Sequence, residues 1–223
     1  SIAGSILPNY SLLEAHRFKI IGEVYLTIEM NFMALPGQSI DQIHTVQSHP
    51  MALLQCQDFL LSHPHIKVLE GTDTAESAKD VREKNLKGQA AIASRLAAET
   101  YGLEILASGI QSNQQNMTRF LVICRSDDYQ PNPQANKSSI CFEAPDHPGS
   151  LVKILEVLDQ NHVNMTKLQS VVIPGRPYEY AFHVDLEWKD SAQYQQALKL
   201  LEQRADRLIH FGDYARGERR IRV

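Results

Sequence analysis

The chain has no run of about eighteen apolar residues, the length a helix needs to cross a bilayer, so a helical span is excluded and no membrane partner is expected. It has no long run of Lys or Arg either. With a formal net charge of -4 and a pI near 6.1, it lacks the basic surface that would neutralise nucleic-acid phosphates. The one basic cluster, Arg216, Arg219, Arg220 and Arg222, reads as a solvated chain end. Cysteine is sparse: Cys56, Cys124 and Cys141 form no CxxC pattern, and each lies in an apolar run. An odd, widely spaced set of buried thiols fits a reducing compartment, and the cytosol is the expected location. There is no signal-peptide pattern, although the chain opens at Ser1 without Met, as though residues upstream were missing. GxSxG, Walker and GxGxxG motifs are all absent. His63 and His65 flank Pro64 with no third ligand at useful spacing, so no metal is expected.

What is there divides in two. Residues 126–137, SDDYQPNPQANK, are rich in Asp, Asn, Gln and Pro, and the prolines stop helix or strand from continuing. This predicts a linker between a domain at 1–125 and another at 138–223. Before it, strand-like and helix-like segments alternate. Strands are expected at Ile20–Met30, His44–Gln47, Ile66–Leu69, Ala90–Ala93 and Leu103–Ile110, with helices at Pro50–Leu61, Thr74–Lys84 and from Ser94 to Tyr101. That alternation predicts an α/β domain with a largely parallel sheet. After the linker the expected order is strand (138–143), helix (150–160), strand (165–173), strand (178–186), helix (191–204), strand (208–214). This is βαββαβ, a ferredoxin-like α+β plan whose sheet would leave one face and its edges free for a second copy.

Four polar segments of the first domain fall where helices begin or strands end, the usual place for ligands in open α/β sheets: SIAGS, SHPMALLQC, GTDTAESA and NMTRF. Ser1, Ser5, Ser48 and Thr74 at helix starts would together hold an anion, and Arg119 would add a bidentate carboxylate contact. The plainer reading makes each Ser or Thr a helix cap, His49 the residue that leads into a helix, and Arg119 a partner in a structural ion pair. Chemistry alone stops at a small anionic ligand.

Taken in order, these segments resemble the prephenate dehydratase family. SIAGS is similar to the family's Glu-Asn-Ser-x-x-Gly-Ser stretch from its serine onward. SHPMALLQC resembles Ser-His-Pro-Gln-Ala-Leu-x-Gln-Cys, NMTRF resembles Asn-x-Thr-Arg-Phe, and YGLEILASGI matches the Tyr-Gly-Leu segment upstream. The resemblance implies a bilobal, periplasmic-binding-protein-like (type 2) catalytic domain followed by an ACT domain. It implies decarboxylative dehydration of prephenate to phenylpyruvate with no cofactor. Thr118 would be the catalytic residue that protonates the departing hydroxyl, with Gln55 as a second site residue. Arg119 and Phe120 would support binding and position Thr118, while Ser1, Ser5, Ser48, Thr72, Thr74 and Ser94 are candidates for the substrate carboxylates.

The C-terminal unit resembles the family's phenylalanine-sensing ACT domain. Pro148, Gly149, Ser150, Leu151 and Val152 correspond to its Gly-Ala-Leu-Val stretch, and Asn164 stands where the family has an Asn before its second strand. The equally plain alternative is that Gly149 only makes a tight turn into a helix. The family's Glu-Ser-Arg-Pro motif aligns with Gln169-Ser170-Val171-Val172 and keeps only Ser170, which implies altered phenylalanine binding. Met51 and Asn31 replace the usual Gln and His. The family's N-terminal segment is not in this sequence, and a fragment without it is expected to be inactive. The implied partners are prephenate, L-phenylalanine as effector and a second copy in a homodimer or homotetramer. Two other readings remain: an arogenate dehydratase, or a non-catalytic amino-acid-binding regulator.

Overall fold

The structure, a computed structural model, describes residues 4–218. The chain forms two compact units, one built mainly from Leu26–Thr118 and the other from Ser5–Tyr25 together with the described chain from Arg119 to residue 218. Helix α1 (Pro8–Ala15) and most of strand β1 (Lys19–Thr27) therefore belong with the C-terminal half, not with the first 125 residues. The cause is apolar burial: Leu13 and Ile20 join Cys141, Ala181, Phe211 and Tyr214 in one cluster. Residues 129–136 are irregular after a short 3-10 turn at Ser126–Asp128, and the segment lies within the second unit rather than between the two. Among the described residues no helix is long and apolar enough to cross a membrane.

In the first unit the chain runs β2 (Asn31–Ala34), β3 (Thr45–Ser48), α2 (Pro50–Gln55), α3 (Gln57–Leu61), β4 (Lys67–Glu70), α4 (Thr74–Glu83), β5 (Gln89–Ala93), α5 (Arg95–Tyr101) and β6 (Glu104–Ala107). The sheet order is β4-β3-β5-β2-β6. β3 pairs in parallel with β4 and β5, whereas β2 pairs antiparallel with β5 and β6. The sheet is thus mixed, with β2 alone reversed, which corrects the largely parallel expectation. β2 was hidden because Ile20–Met30 reads as one long strand; β1 stops at Thr27, and Phe32, Met33 and Ala34 are a short apolar run buried on both faces. The expected helix 50–61 breaks at Cys56, whose φ of -106° and ψ of 20° leave the helical region. Small side chains in β5 let α4 and α5 pack closely, with Ala78, Val81, Ala97 and Ala98 against Ala91 and Ala93.

The second unit adds β7 (Met117–Cys124), which pairs with β1 in a two-stranded sheet, then β8 (Lys137–Glu143), α6 (Ser150–Gln160), β9 (Asn164–Val172), β10 (Tyr180–Glu187), α7 (Ser191–Arg204) and β11 (Arg207–Tyr214). The four-stranded sheet has the order β11-β8-β10-β9, all antiparallel, which is the βαββαβ topology the pattern predicts. One face carries Ile140, Phe142, Val184 and Leu186 against Ile154, Val157, Tyr194 and Leu201 of the helices. Trp188 stacks on Tyr194 with ring centroids 3.6 Å apart. The opposite face is not free as expected: α1 and β1 cover it, and every residue of β8 is buried. The edge strands β9 and β11 each have one sheet neighbour.

Candidate active site

In the first unit two segments that the sequence holds far apart meet through their polar side chains. Gln55 ends α2 and is buried; Asn116, just before β7, is buried as well. Asn116 Nδ2 donates to Gln55 Oε1 at 2.8 Å across 61 residues of sequence. The backbone reinforces the junction, since Ser112 N donates to Gln55 O and Ile28 N donates to Asn116 O, at 2.8 and 2.9 Å. Gln111 is buried and ties the same loop down, its Oε1 accepting from Met30 N at 2.9 Å. Thr118 follows Asn116 by two residues and is half-buried. Asn116 Oδ1 is buried with no hydrogen-bond partner among the described residues. Sequence reasoning passed over Asn116 and Gln111; the Asn in NMTRF was a usable signal, whereas Gln111 offered none.

The hydroxyls expected at substrate carboxylates mostly have local partners. Ser48 is fully buried and donates to Ile92 O at 2.6 Å, and the residue capping α2 is His49, whose Nδ1 accepts from Met51 N at 3.2 Å. Ser94 caps α5 by accepting from Ala97 N at 3.3 Å. Thr72 donates to Glu76 at 2.6 Å, and Asp73, not either threonine, caps α4 by accepting from Ala75 N and Glu76 N. Thr74 is the first residue of α4 and is half-buried. Ser5 belongs to the other unit, and Ser1 lies outside the described residues.

Arg119 begins the second unit's share of β7, and carboxylates of its own chain hold it. Its Nε lies 2.5 Å from Glu23 Oε2, an electrostatic approach with the N–H not aimed along a hydrogen bond. Its other nitrogens donate to Asp185 Oδ2 and, at 2.8 Å, to Tyr214 OH. Burial opposes the guanidinium charge, but Asp185 first, then Tyr214 and Glu23, outweigh it and push the Arg119 pKa up. Ser139 donates to Asp185 Oδ1 at 2.6 Å and contacts Tyr214 OH at 2.7 Å. Lys137, also buried, bridges Glu23 and Glu187 at 3.1 and 3.2 Å. The ion-pair reading of Arg119 therefore describes its contacts better than a free carboxylate clamp. Phe120, next along β7, is half exposed. Glu23 and Asp185 were not foreseen, because a charge in an alternating strand reads as solvent-facing.

Of the effector candidates, Gly149 precedes α6 with a φ of 82°, Ser150 and Leu151 are half-buried, and Pro148 and Val152 are exposed. Ser170 faces Phe182 across β9 and β10 at the end of the sheet where β8 runs into α6. Asn164 sits at the opposite end of β9, about 20 Å away at the rise of an extended strand. One copy of the chain therefore does not bring Asn164 to the start of α6. Elsewhere in this unit, Glu14, Cys141 and His183 place their donor atoms within 4.8 Å of one another. Burial pushes the Cys141 thiol up, helped by Glu14, and burial with Lys167 pushes His183 down to about 4. Arg207 occupies the Glu14 carboxylate at 3.2 Å, so the group is an internally neutralised cluster.

Comparison with known proteins carries these arrangements to a family. A dual arogenate/prephenate dehydratase of Arabidopsis thaliana is 36% identical over 96% of this chain and 58% of its own. A bifunctional chorismate mutase/prephenate dehydratase of Aquifex aeolicus is 38% identical over 88% of this chain and 53% of its own. The chain thus spans little more than half the length of these relatives. Among solved structures, the prephenate dehydratase of Arthrobacter aurescens in complex with L-Phe superposes with a TM-score of 0.84 at 27% identity, covering 100% of this chain and 74% of the other. Residues 1–128, more than half the sequence and the part that holds Gln55, Asn116 and Thr118, match the family described as prephenate dehydratase. The chain belongs to the prephenate dehydratase family.

Proposed function

We propose that this chain is the greater part of a prephenate dehydratase, converting prephenate to phenylpyruvate, water and carbon dioxide under feedback by L-phenylalanine. The observation that carries the reading is the buried Gln55–Asn116 hydrogen bond, which joins the SHPMALLQC and NMTRF segments two residues from Thr118. In the reaction the C–C bond to the ring carboxylate breaks and its electron pair aromatises the ring. The C–O bond to the ring hydroxyl breaks with it, and Thr118 donates a proton so that water leaves. A threonine hydroxyl is a weak acid, and a polar, water-poor surround makes the transfer feasible. Gln55 and Asn116 supply amide groups there and Thr74 a hydroxyl for a substrate carboxylate, while Ser5 and Phe120 are carried as substrate-binding residues by family resemblance alone. Ser48, Thr72 and Ser94 act through the placement of their backbone.

The catalytic part is read as bilobal and periplasmic-binding-protein-like. The βαββαβ unit is read as an ACT domain in a cytosolic enzyme whose three cysteines stay free. A two-fold pairing of β9 edges would bring Asn164 of one copy to the Pro148–Val152 end of the other, which favours a homodimer, or a tetramer of such dimers, with effector sites between copies. A second reading, arogenate dehydratase, is favoured by the dual activity named for the Arabidopsis relative.

The test is turnover of prephenate and of arogenate by the upstream-extended enzyme, with and without phenylalanine, beside Thr118→Ala. Wild type should be active and phenylalanine-inhibited, and Thr118→Ala should lose at least about 10³-fold in kcat with an unchanged melting temperature. An active Thr118→Ala, or a folded extended chain with no turnover of either substrate, refutes the reading in favour of an amino-acid-binding regulator.

A further inference from the structure

We propose that Asp185 is a positioning residue for Thr118, acting through Arg119; this rests on Thr118 being the proton donor. Thr118 and Arg119 are consecutive residues of β7, so whatever fixes the Arg119 side chain fixes the strand that carries Thr118. The guanidinium has three protein partners, Glu23 on β1, Asp185 on β10 and Tyr214 on β11, and its side chain is only 19% exposed. Two of the three belong to the four-stranded sheet rather than to the β1–β7 ribbon. Arg119 is therefore anchored in that sheet.

Asp185 is built for this task. It lies opposite Ser139 in the β8–β10 pairing, and Ser139 Oγ holds its Oδ1, leaving Oδ2 for Arg119. Tyr214 OH touches both Ser139 and Arg119 and closes the ring of contacts. The pairing of β9 with β10 slips by one residue at the Asp185–Leu186 step, where Thr166 is extra, and a bulge of this kind re-aims side chains beside it. A two-stranded ribbon is by itself a poor platform for a reacting group, which must be held to within a fraction of an ångström. The buried ion pair supplies that stiffness. It also makes β10, hydrogen-bonded along its length to the edge strand β9, the part of the sheet whose displacement Arg119 would feel.

The experiment measures kcat and KM for prephenate, with melting temperature, in the upstream-extended enzyme and its Asp185→Asn, Asp185→Glu and Tyr214→Phe variants. Asp185→Asn should lose about 10- to 100-fold in kcat, the scale of a displaced reacting group, with KM within about twofold. Asp185→Glu should recover much of the loss, and Tyr214→Phe, which keeps shape and charge, should lose a few-fold in kcat. A folded Asp185→Asn with wild-type kcat, or with raised KM alone, overturns the proposal. If Asp185→Asn does not fold, Tyr214→Phe decides, and wild-type kcat there overturns it equally. A wild-type enzyme without turnover is a different result: it removes the functional reading, and this inference falls with it.

Discussion

The two sheets of this chain handle their second faces in opposite ways. The five-stranded sheet is apolar on both sides, with Val46, Leu53, Ala90 and Ile92 packed in one cluster and Met33, Ala78, Ala91 and Ala97 in the other. The four-stranded sheet is apolar toward its helices, whereas its other face mixes an apolar cluster around Leu13, Ile20, Cys141 and Phe211 with buried charge. That face sets Lys137, Ser139, Asp185 and Tyr214 against Glu23 and Arg119, with little access to solvent. An apolar layer holds through non-directional burial and tolerates small changes of shape. A buried charge layer holds only in the arrangement that pairs every charge, because an ion left alone inside is strongly penalised. The first kind of face gives stability; the second kind favours one arrangement of the groups it pairs.

The sharpest way to break that contrast is to remove one charge. Glu23→Gln leaves Lys137 and Arg119 without a shared carboxylate and should destabilise the second unit by about 3–5 kcal/mol. The single tryptophan, Trp188, stacks on Tyr194 in that unit's core, so its fluorescence in a urea titration reports this unit directly. Adding Lys137→Met to Glu23→Gln should return part of the loss, a non-additivity that independent sites would not show. A Glu23→Gln protein as stable as wild type would mean that the charge layer is already solvated.

The charge layer also marks where sequence reading stopped. Helices α6 and α7 have the bounds their periodicity predicts, and β10 differs by only a residue or two, because each shows an apolar stripe on one face alone. β8, KSSICFE, turns Ile140 and Phe142 toward the helices, yet both its faces are buried, since its other side, with Lys137, Ser139 and Cys141, finds α1 and β1 rather than water. Alternation states which face is polar; it does not state whether that face is wet. β2 and β7 were missed for a different reason: NFMA and MTRFLVIC are near-continuous apolar runs with no period to read. At the site, Thr118 and Gln55 were legible only through family resemblance. Their link through Asn116 is a long-range contact that no local pattern encodes.

Acid probes the charged face next. An unfolded histidine takes up a proton near pH 6.5, whereas His183 resists until about 4. Between those values the unfolded chain binds more protons, so stability should be intact above 6.5 and fall as pH drops toward 4. Burial and Lys167 on β9 hold the ring neutral, with Tyr10 stacked on it from α1, Cys141 opposite on β8 and Asp185 on its own strand. Of these groups Asp185 works the other way, favouring the charged ring, so the loss should be about 1–2 kcal/mol rather than the full shift. The pH dependence of the Trp188 urea midpoint, compared with His183→Gln, measures it; identical slopes in the two proteins would sink the assignment.

In the apolar sheet the matching change is milder. Ile92→Val, which removes one methylene from a fully buried side chain of β5, should cost roughly 1 kcal/mol by hydrogen exchange of the β3 and β5 amides, with no pH signature. A loss as large as that of Glu23→Gln would erase the contrast between the sheets.

The smallest expected effect separates a cap from a ligand contact. Ser94 accepts from Ala97 N at 3.3 Å, a long hydrogen bond at the start of a seven-residue helix. Removing it should destabilise the first unit by about 0.5–1 kcal/mol, the low end for an N-cap. If the hydroxyl serves only α5, Ser94→Ala in the extended enzyme will change KM for prephenate by less than about twofold, and Ser94→Asp, another good cap, will keep the stability. If the hydroxyl instead holds a substrate carboxylate, Ser94→Ala should raise KM well beyond that. Ser94→Asp would then raise it further, since a second negative charge would face the substrate. Stability and KM respond in different directions across these two substitutions, so one pair of variants decides whether the serine acts on the helix or on the ligand.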